Sequence, residues 1–175
     1  MNEPIVIVGG GHAAAALCAS LVEDGLGTQL HLVSDEPLAP YHRPPLSKRF
    51  LKSSTEVAQL HRAQEWYRQA GITLRLGTAV EVLDRAHRRL HLVDGTELPY
   101  AKLVLATGAR PRVLPGLPGL TNVAALRSAA DAERLRGMMT TVQRVTVLGG
   151  GFVGLEVAGT AAALGKSVTV LEAAP

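Results

Sequence analysis

Apolar and polar positions alternate between two periods along this chain, and the switches between them mark out its elements. Residues 4–8 include a continuous apolar run, Ile5-Val6-Ile7-Val8, which predicts a strand buried on both faces. Residues 12–24 carry small and aliphatic side chains at helical spacing, and residues 29–33 return to a short apolar run. The order strand, helix, strand then recurs near the other end of the chain. Val145-Thr146-Val147-Leu148 is followed by an apolar helical stretch and by Val168-Thr169-Val170-Leu171.

Between these two units the pattern is more varied. Residues 37–48 hold Pro37, Pro40, Pro44 and Pro45, which forbid a regular helix; Leu46–Lys52 suits a short one. A helix is expected over 61–70, stopping at Gly71, and a strand over 72–76. Residues 79–100 read as a small antiparallel meander. In it Val80, Val82, Leu90 and Leu92 alternate with polar residues, and Asp94-Gly95 makes a hairpin turn. Residues 102–106 read as another buried strand. Pro111 to Gly119 is the best boundary in the chain, and a helix over 128–139 follows, with Asp131 and Glu133 near its start.

Both strand–helix junctions are glycine-rich: Gly9-x-Gly11-x-x-Ala14 and Gly149-x-Gly151-x-x-Gly154. The first glycine permits the tight turn. The second leaves room for a pyrophosphate against the backbone, and the third position must be small for helix and strand to pack. Unpaired N–H groups at the helix start favour anionic oxygens. About 20 residues further on, each second strand ends near an acid, Asp35 and Glu172, which suits ribose hydroxyls. This is a dinucleotide-binding fingerprint found twice, which suggests a flavin that receives electrons from a nicotinamide. No cation neighbours Glu172 in sequence, so the second site favours NADH over NADPH.

The fold class expected is α/β, with two Rossmann-like βαβ units and a small antiparallel meander, the second unit truncated. Residues 1–112 would be the first segment of an FAD-binding domain and 113–175 an incomplete NAD-binding domain. A βαβ unit cannot bury its sheet alone, so a fragment of a longer protein is expected.

Composition narrows the chemistry. Hydrophobic content is 47% and the formal net charge is +3, with arginines scattered and few aromatics, so nucleic-acid binding is a poor expectation. No apolar run reaches the ~20 residues of a membrane span, and no cleavable signal precedes the first strand, so a cytoplasmic protein with no membrane association is expected. The one cysteine, Cys18, reads as a packing residue, and without a second the chain cannot hold a redox disulfide. The six histidines show no zinc-like spacing, so no metal site is expected.

With these residues in view, the chain resembles the front part of the FAD-dependent NADH:ferredoxin reductases, the group of rubredoxin, putidaredoxin and aromatic-ring dioxygenase reductases. The similarity runs from Ile5 to Ala173. Its most specific stretch is Tyr41-His42-Arg43-Pro44-Pro45-Leu46-Ser47-Lys48; supporting stretches are Leu105–Arg112, Leu126-Arg127-Ser128 and Gly149–Glu156. The resemblance implies that Gly9, Gly11, His12, Ala13 and Ala14 surround the FAD pyrophosphate and that Asp35 holds its ribose. It implies Arg43 on phosphate, Lys48 beside the flavin ring, the Val80 backbone at adenine, and Thr107, Gly108 and Arg127 closing the groove. For NADH it implies Gly149, Gly151, Phe152, Val153 and Gly154 at the pyrophosphate, Glu156 towards the nicotinamide and Glu172 on the ribose.

Glu156 lies just over one helical turn inside its helix, and Lys48 and Glu156 are expected to converge. The partner implied is a ferredoxin or rubredoxin-type iron–sulfur protein. Two other readings stand beside this one: a nucleotide-binding or redox-signalling module without turnover, and a flavin-linked NADH oxidase or reductase with a small acceptor.

Overall fold

The computed structural model describes residues 4–112, 114–117 and 119–173, and they fold as an α/β protein of two compact units. Unit 1 comprises Met1–His42 and Leu60–Ala109; unit 2 comprises Arg43–Gln59 and Arg110–Pro175. The proline-rich segment after His42 therefore belongs with the chain's last third, although it interrupts unit 1 in sequence.

Unit 1 is built on a four-stranded parallel sheet. Its strands are β1 (Ile5–Val8), β2 (Leu30–Ser34), β3 (Thr73–Leu76) and β7 (Lys102–Leu105), in the order β3-β2-β1-β7. Ile5 pairs with Leu30 on one side and with Lys102 on the other, so β1 is a central strand. This explains its unbroken apolar run, because both faces are covered. Ile7 points to a cluster with Ala14 and Cys18 of helix α1 (His12–Glu23), Leu30, Leu32, Tyr67 and Ile72. Val6 and Val8 point the other way, to Val33, Leu90, Leu92, Leu98 and Tyr100.

The second cluster is roofed by the meander β4 (Val80–Asp84), β5 (Arg89–Leu92) and β6 (Glu97–Pro99). Asp94-Gly95 turns β5 into β6, with Gly95 at φ 83° and the Thr96 N–H donating to Asp94 Oδ1 at 2.9 Å. Leu90 and Leu92 are buried as the alternation predicts, but Val82 is 50% exposed. A register shift between Val80 and Val82 is the reason, since one irregular residue turns the following side chains to the other face.

The helix expected over 61–70 begins later, as α3 (Gln64–Gln69). Leu60 is held in an antiparallel bridge with Tyr41, and the chain bends at His61, whose N–H donates to Pro40 O at 2.9 Å, before the helix begins.

Unit 2 contains the parallel pair β8 (Arg144–Leu148) and β9 (Ser167–Leu171), joined through α5 (Phe152–Ala163). Helix α4 (Ala129–Thr141) starts with a reciprocal cap: Asp131 N–H donates to Ser128 Oγ, and the Asp131 carboxylate accepts from the Ser128 N–H. The proline segment gives a 3-10 turn over Pro44–Ser47 and a short helix α2 (Arg49–Lys52), with Phe50 and Leu51 buried. Among the described residues no helix is long and apolar enough to cross a membrane.

Candidate functional site

The two glycine turns are close copies. Gly9 and Gly149 have φ of 115° and 104°, a region that favours glycine. Each donates its N–H to the second strand at 2.8 Å, Gly9 to Val33 O and Gly149 to Leu171 O. A Cβ on Gly9 would lie 2.2 Å from Ala106 O and 3.0 Å from Thr107 N, so the first turn sits directly on the Ala106-Thr107-Gly108 stretch. The sequence-predicted residues Gly9 and Thr107 are thereby brought together, with Gly108 next in the chain.

At Gly11 and Gly151, by contrast, a Cβ would meet nothing within 4 Å. These are the N-cap positions of α1 and α5, where neither helix has a side-chain cap. An open approach to uncapped helix N–H groups fits a phosphate pair. The donor sets therefore suit dinucleotides at both turns.

The acids are not equivalent. Val8 pairs with Val33 and Leu148 with Leu171, so Ser34 in unit 1 corresponds to Glu172 in unit 2, and Asp35 lies one residue further on. Ser34 is buried and its Oγ would be 2.6 Å from a Cβ on Gly10, whereas Asp35 is exposed. Glu172 folds back on its own turn, accepting the Gly150 N–H at 2.6 Å.

Unit 2 places Lys48 and Glu156 together, with Lys48 Nζ 2.8 Å from Glu156 Oε1. Ser47 Oγ donates to Glu156 Oε2 at 2.5 Å, and the buried Thr160 Oγ1 donates to Ser47 O at 2.8 Å. Glu156 and Thr160 are four apart on α5 and so share a face, which faces the 44–48 turn. The Lys48 ammonium, then the Ser47 hydroxyl, hold the Glu156 carboxyl below its usual range. Lys48 also donates to Pro44 O at 3.3 Å. The Arg43 guanidinium donates to Arg127 O at 2.8 Å, which joins two more of the predicted residues. Phe152 and Val153, at the start of α5, are 90% and 51% exposed.

Arg136 is a structural anchor with no signal in the sequence, because its partners lie in another part of the chain. Its guanidinium donates to Ser53 O at 2.9 Å and Glu56 O at 2.8 Å, and its carbon lies 4.4 Å from the Phe50 ring centre. It fastens the Lys48-bearing segment to α4.

Cys18 is fully buried, and desolvation pushes its thiol up to about 11, as a packing residue requires. The histidines lack a metal-ligand spacing along the chain, yet the fold gathers His12, His42 and His61. Burial, then the neighbouring His12 and His42, lower the His61 imidazole.

A family described as pyridine nucleotide-disulphide oxidoreductase matches residues 3–175. The chain belongs to this family. Among its relatives is the ferredoxin–NAD(+) reductase component of the anthranilate 1,2-dioxygenase system of Burkholderia cepacia, 45% identical over 98% of this chain and 43% of that protein. Rhodocoxin reductase of Rhodococcus erythropolis is 44% identical over 97% of this chain and 40% of its own length. A ferredoxin reductase from Rhodopseudomonas palustris superposes with a TM-score of 0.91 at 39% identity, covering 99% of this chain and 43% of that one. The chain thus spans about two fifths of the length of the pyridine nucleotide-disulphide oxidoreductases it matches.

Proposed function

We propose that this chain is the front part of an NADH-dependent, FAD-containing reductase that passes electrons to a ferredoxin or rubredoxin-type iron–sulfur protein. The observation that carries this reading is the pair of glycine turns, each with a left-handed first glycine and an open second one. The relatives' names support the acceptor class. In such a protein bound FAD accepts hydride equivalents from NADH and releases electrons singly.

The chain's own residues have positional and electrostatic tasks. The N–H groups at the starts of α1 and α5 hold pyrophosphates. Thr107 and Gly108, beside the Gly9 turn, border the flavin nucleotide; Asp35 takes its ribose, and the Val80 backbone meets adenine. Arg43 and Arg127 supply positive charge for the flavin nucleotide. Lys48 stabilises negative charge on the reduced cofactor, and Glu156 sets the position of Lys48 and faces the nicotinamide end. Glu172 gives up its Gly150 contact to hold the NADH ribose and repels a 2′-phosphate. The absence of a second cysteine supports direct transfer to an external acceptor over a redox disulfide in this chain.

The test is reconstitution of the full-length parent with FAD, followed by anaerobic addition of NADH or NADPH and then of a ferredoxin or rubredoxin. Flavin bleaching with NADH and reoxidation by the iron–sulfur protein are expected. Bleaching without transfer to any iron–sulfur acceptor would favour a small-acceptor oxidase. Nucleotide binding without bleaching would favour a signalling module.

A further inference from the structure

Three histidines from separate parts of unit 1 converge beside the first glycine turn. His12 is the first residue of α1, directly after Gly11. His42 and His61 flank the Tyr41–Leu60 bridge, so one short antiparallel contact delivers both. One ligand nitrogen from each of the three rings lies within 4.8 Å of the others. His61 Nε2 is 3.1 Å from His12 Nδ1. The ring centres are 4.0 Å apart for His12 and His61, and 3.8 Å apart for His42 and His61.

We propose that His12, His42 and His61 bind a divalent late transition-metal ion, zinc being the natural occupant, through three imidazole nitrogens with a fourth position open to water. Metal–nitrogen bonds of about 2.0–2.1 Å place tetrahedral ligands about 3.4 Å apart. The His12–His61 pair is already at that spacing, and small rotations of half-exposed rings bring in the third. The backbones need not move, because a helix start and a hydrogen-bonded bridge fix them. An all-imidazole set selects zinc, copper, nickel or cobalt over magnesium or calcium, which want oxygen ligands. His12 is exposed, and the three-ligand arrangement leaves the open coordination position on the solvent side. The site is independent of the flavin reading: it uses side chains, while the glycine turn uses backbone N–H groups.

The experiment uses the tag-free 175-residue chain, stripped with a chelator and titrated with Co2+ and Zn2+. Cobalt absorption, the bound zinc content after dialysis, and histidine 15N NMR shifts are the readouts. One saturable equivalent is expected, with a four- or five-coordinate cobalt band and shifts on three of the six rings. His42→Asn and His61→Asn should each weaken binding by roughly tenfold or more, and His87→Ala should leave it unchanged. Far-UV circular dichroism of each variant separates ligand loss from unfolding, and the NMR shifts need no variant at all. The proposal is overturned by the absence of a saturable equivalent, or by one that leaves these three rings unshifted. Binding of inorganic pyrophosphate that needs the same histidines, with no metal uptake, would identify an anion site and also overturn it.

Discussion

At the residue scale, the two turns differ at their third small position. Ala14 is accommodated with its side chain fully buried, whereas a Cβ on Gly154 would lie 2.3 Å from Gly149 O. Gly154→Ala must therefore displace backbone, and it should destabilise unit 2 by about 1–3 kcal/mol in urea denaturation. Ala14→Gly should cost only about 1 kcal/mol, the helix-propensity difference. Equal effects would mean that the second turn has slack. Glu156 gives a pH signature. Its carboxyl is depressed in the folded state, so its stabilisation is present above the unfolded value of about 4.3 and is lost as pH falls through the folded one. The pair is partly exposed, so the contribution is at most about 1 kcal/mol. The stability gap between the parent chain and Glu156→Gln should be open at neutral pH and close at acid pH. The convergence of Lys48 and Glu156 was legible in the sequence because the 41–48 and 149–156 stretches are both distinctive. The His12–His42–His61 cluster was not, because spacing along a chain does not report a bridge that forms only in three dimensions.

At the element scale, apolar runs and glycines sufficed for β1, α1, β8 and α5, whose residues agree locally and globally. Boundaries failed where long-range pairing competed, as at Leu60 and His61, where the bridge to Tyr41 and the bond to Pro40 O hold the chain out of helical geometry. The face of β4 was illegible for a similar reason, since a bulge leaves no simple trace in the alternation. Helix α4 illustrates both sides. Its capping box is visible as Ser128 and Asp131, and Ser128→Ala should lower stability by about 1 kcal/mol. Its larger role, the Arg136 grip on the 50–56 backbone, carries no sequence signal. Arg136→Ala leaves those carbonyls without their cation and uncovers Phe50, so a loss of about 2 kcal/mol is expected by thermal unfolding. Arg136→Lys should recover only part of it, because an ammonium can neither fork nor stack in the same way.

At the scale of the whole molecule, unit 1 ends at Ala109, and the earlier segment Arg43–Gln59 joins unit 2, a return that the sequence pattern does not announce. Residues 110–175 expressed alone should lack a cooperative unfolding transition, because Ser47, Phe50 and Leu51 are missing from that unit. Adding a 43–59 peptide should restore one, as read by circular dichroism. A cooperative transition in 110–175 by itself would show that the segment is decoration. The same interleaving has a consequence for synthesis. Phe50 and Arg136 of α4, which covers it, are 86 residues apart. At about 5–20 residues per second, a ribosome needs about 4–17 s to cover that distance. Through that interval Phe50 and Leu51 have emerged without the helix that shelters them, so the newborn chain presents a sticky segment that a holdase chaperone is expected to cover.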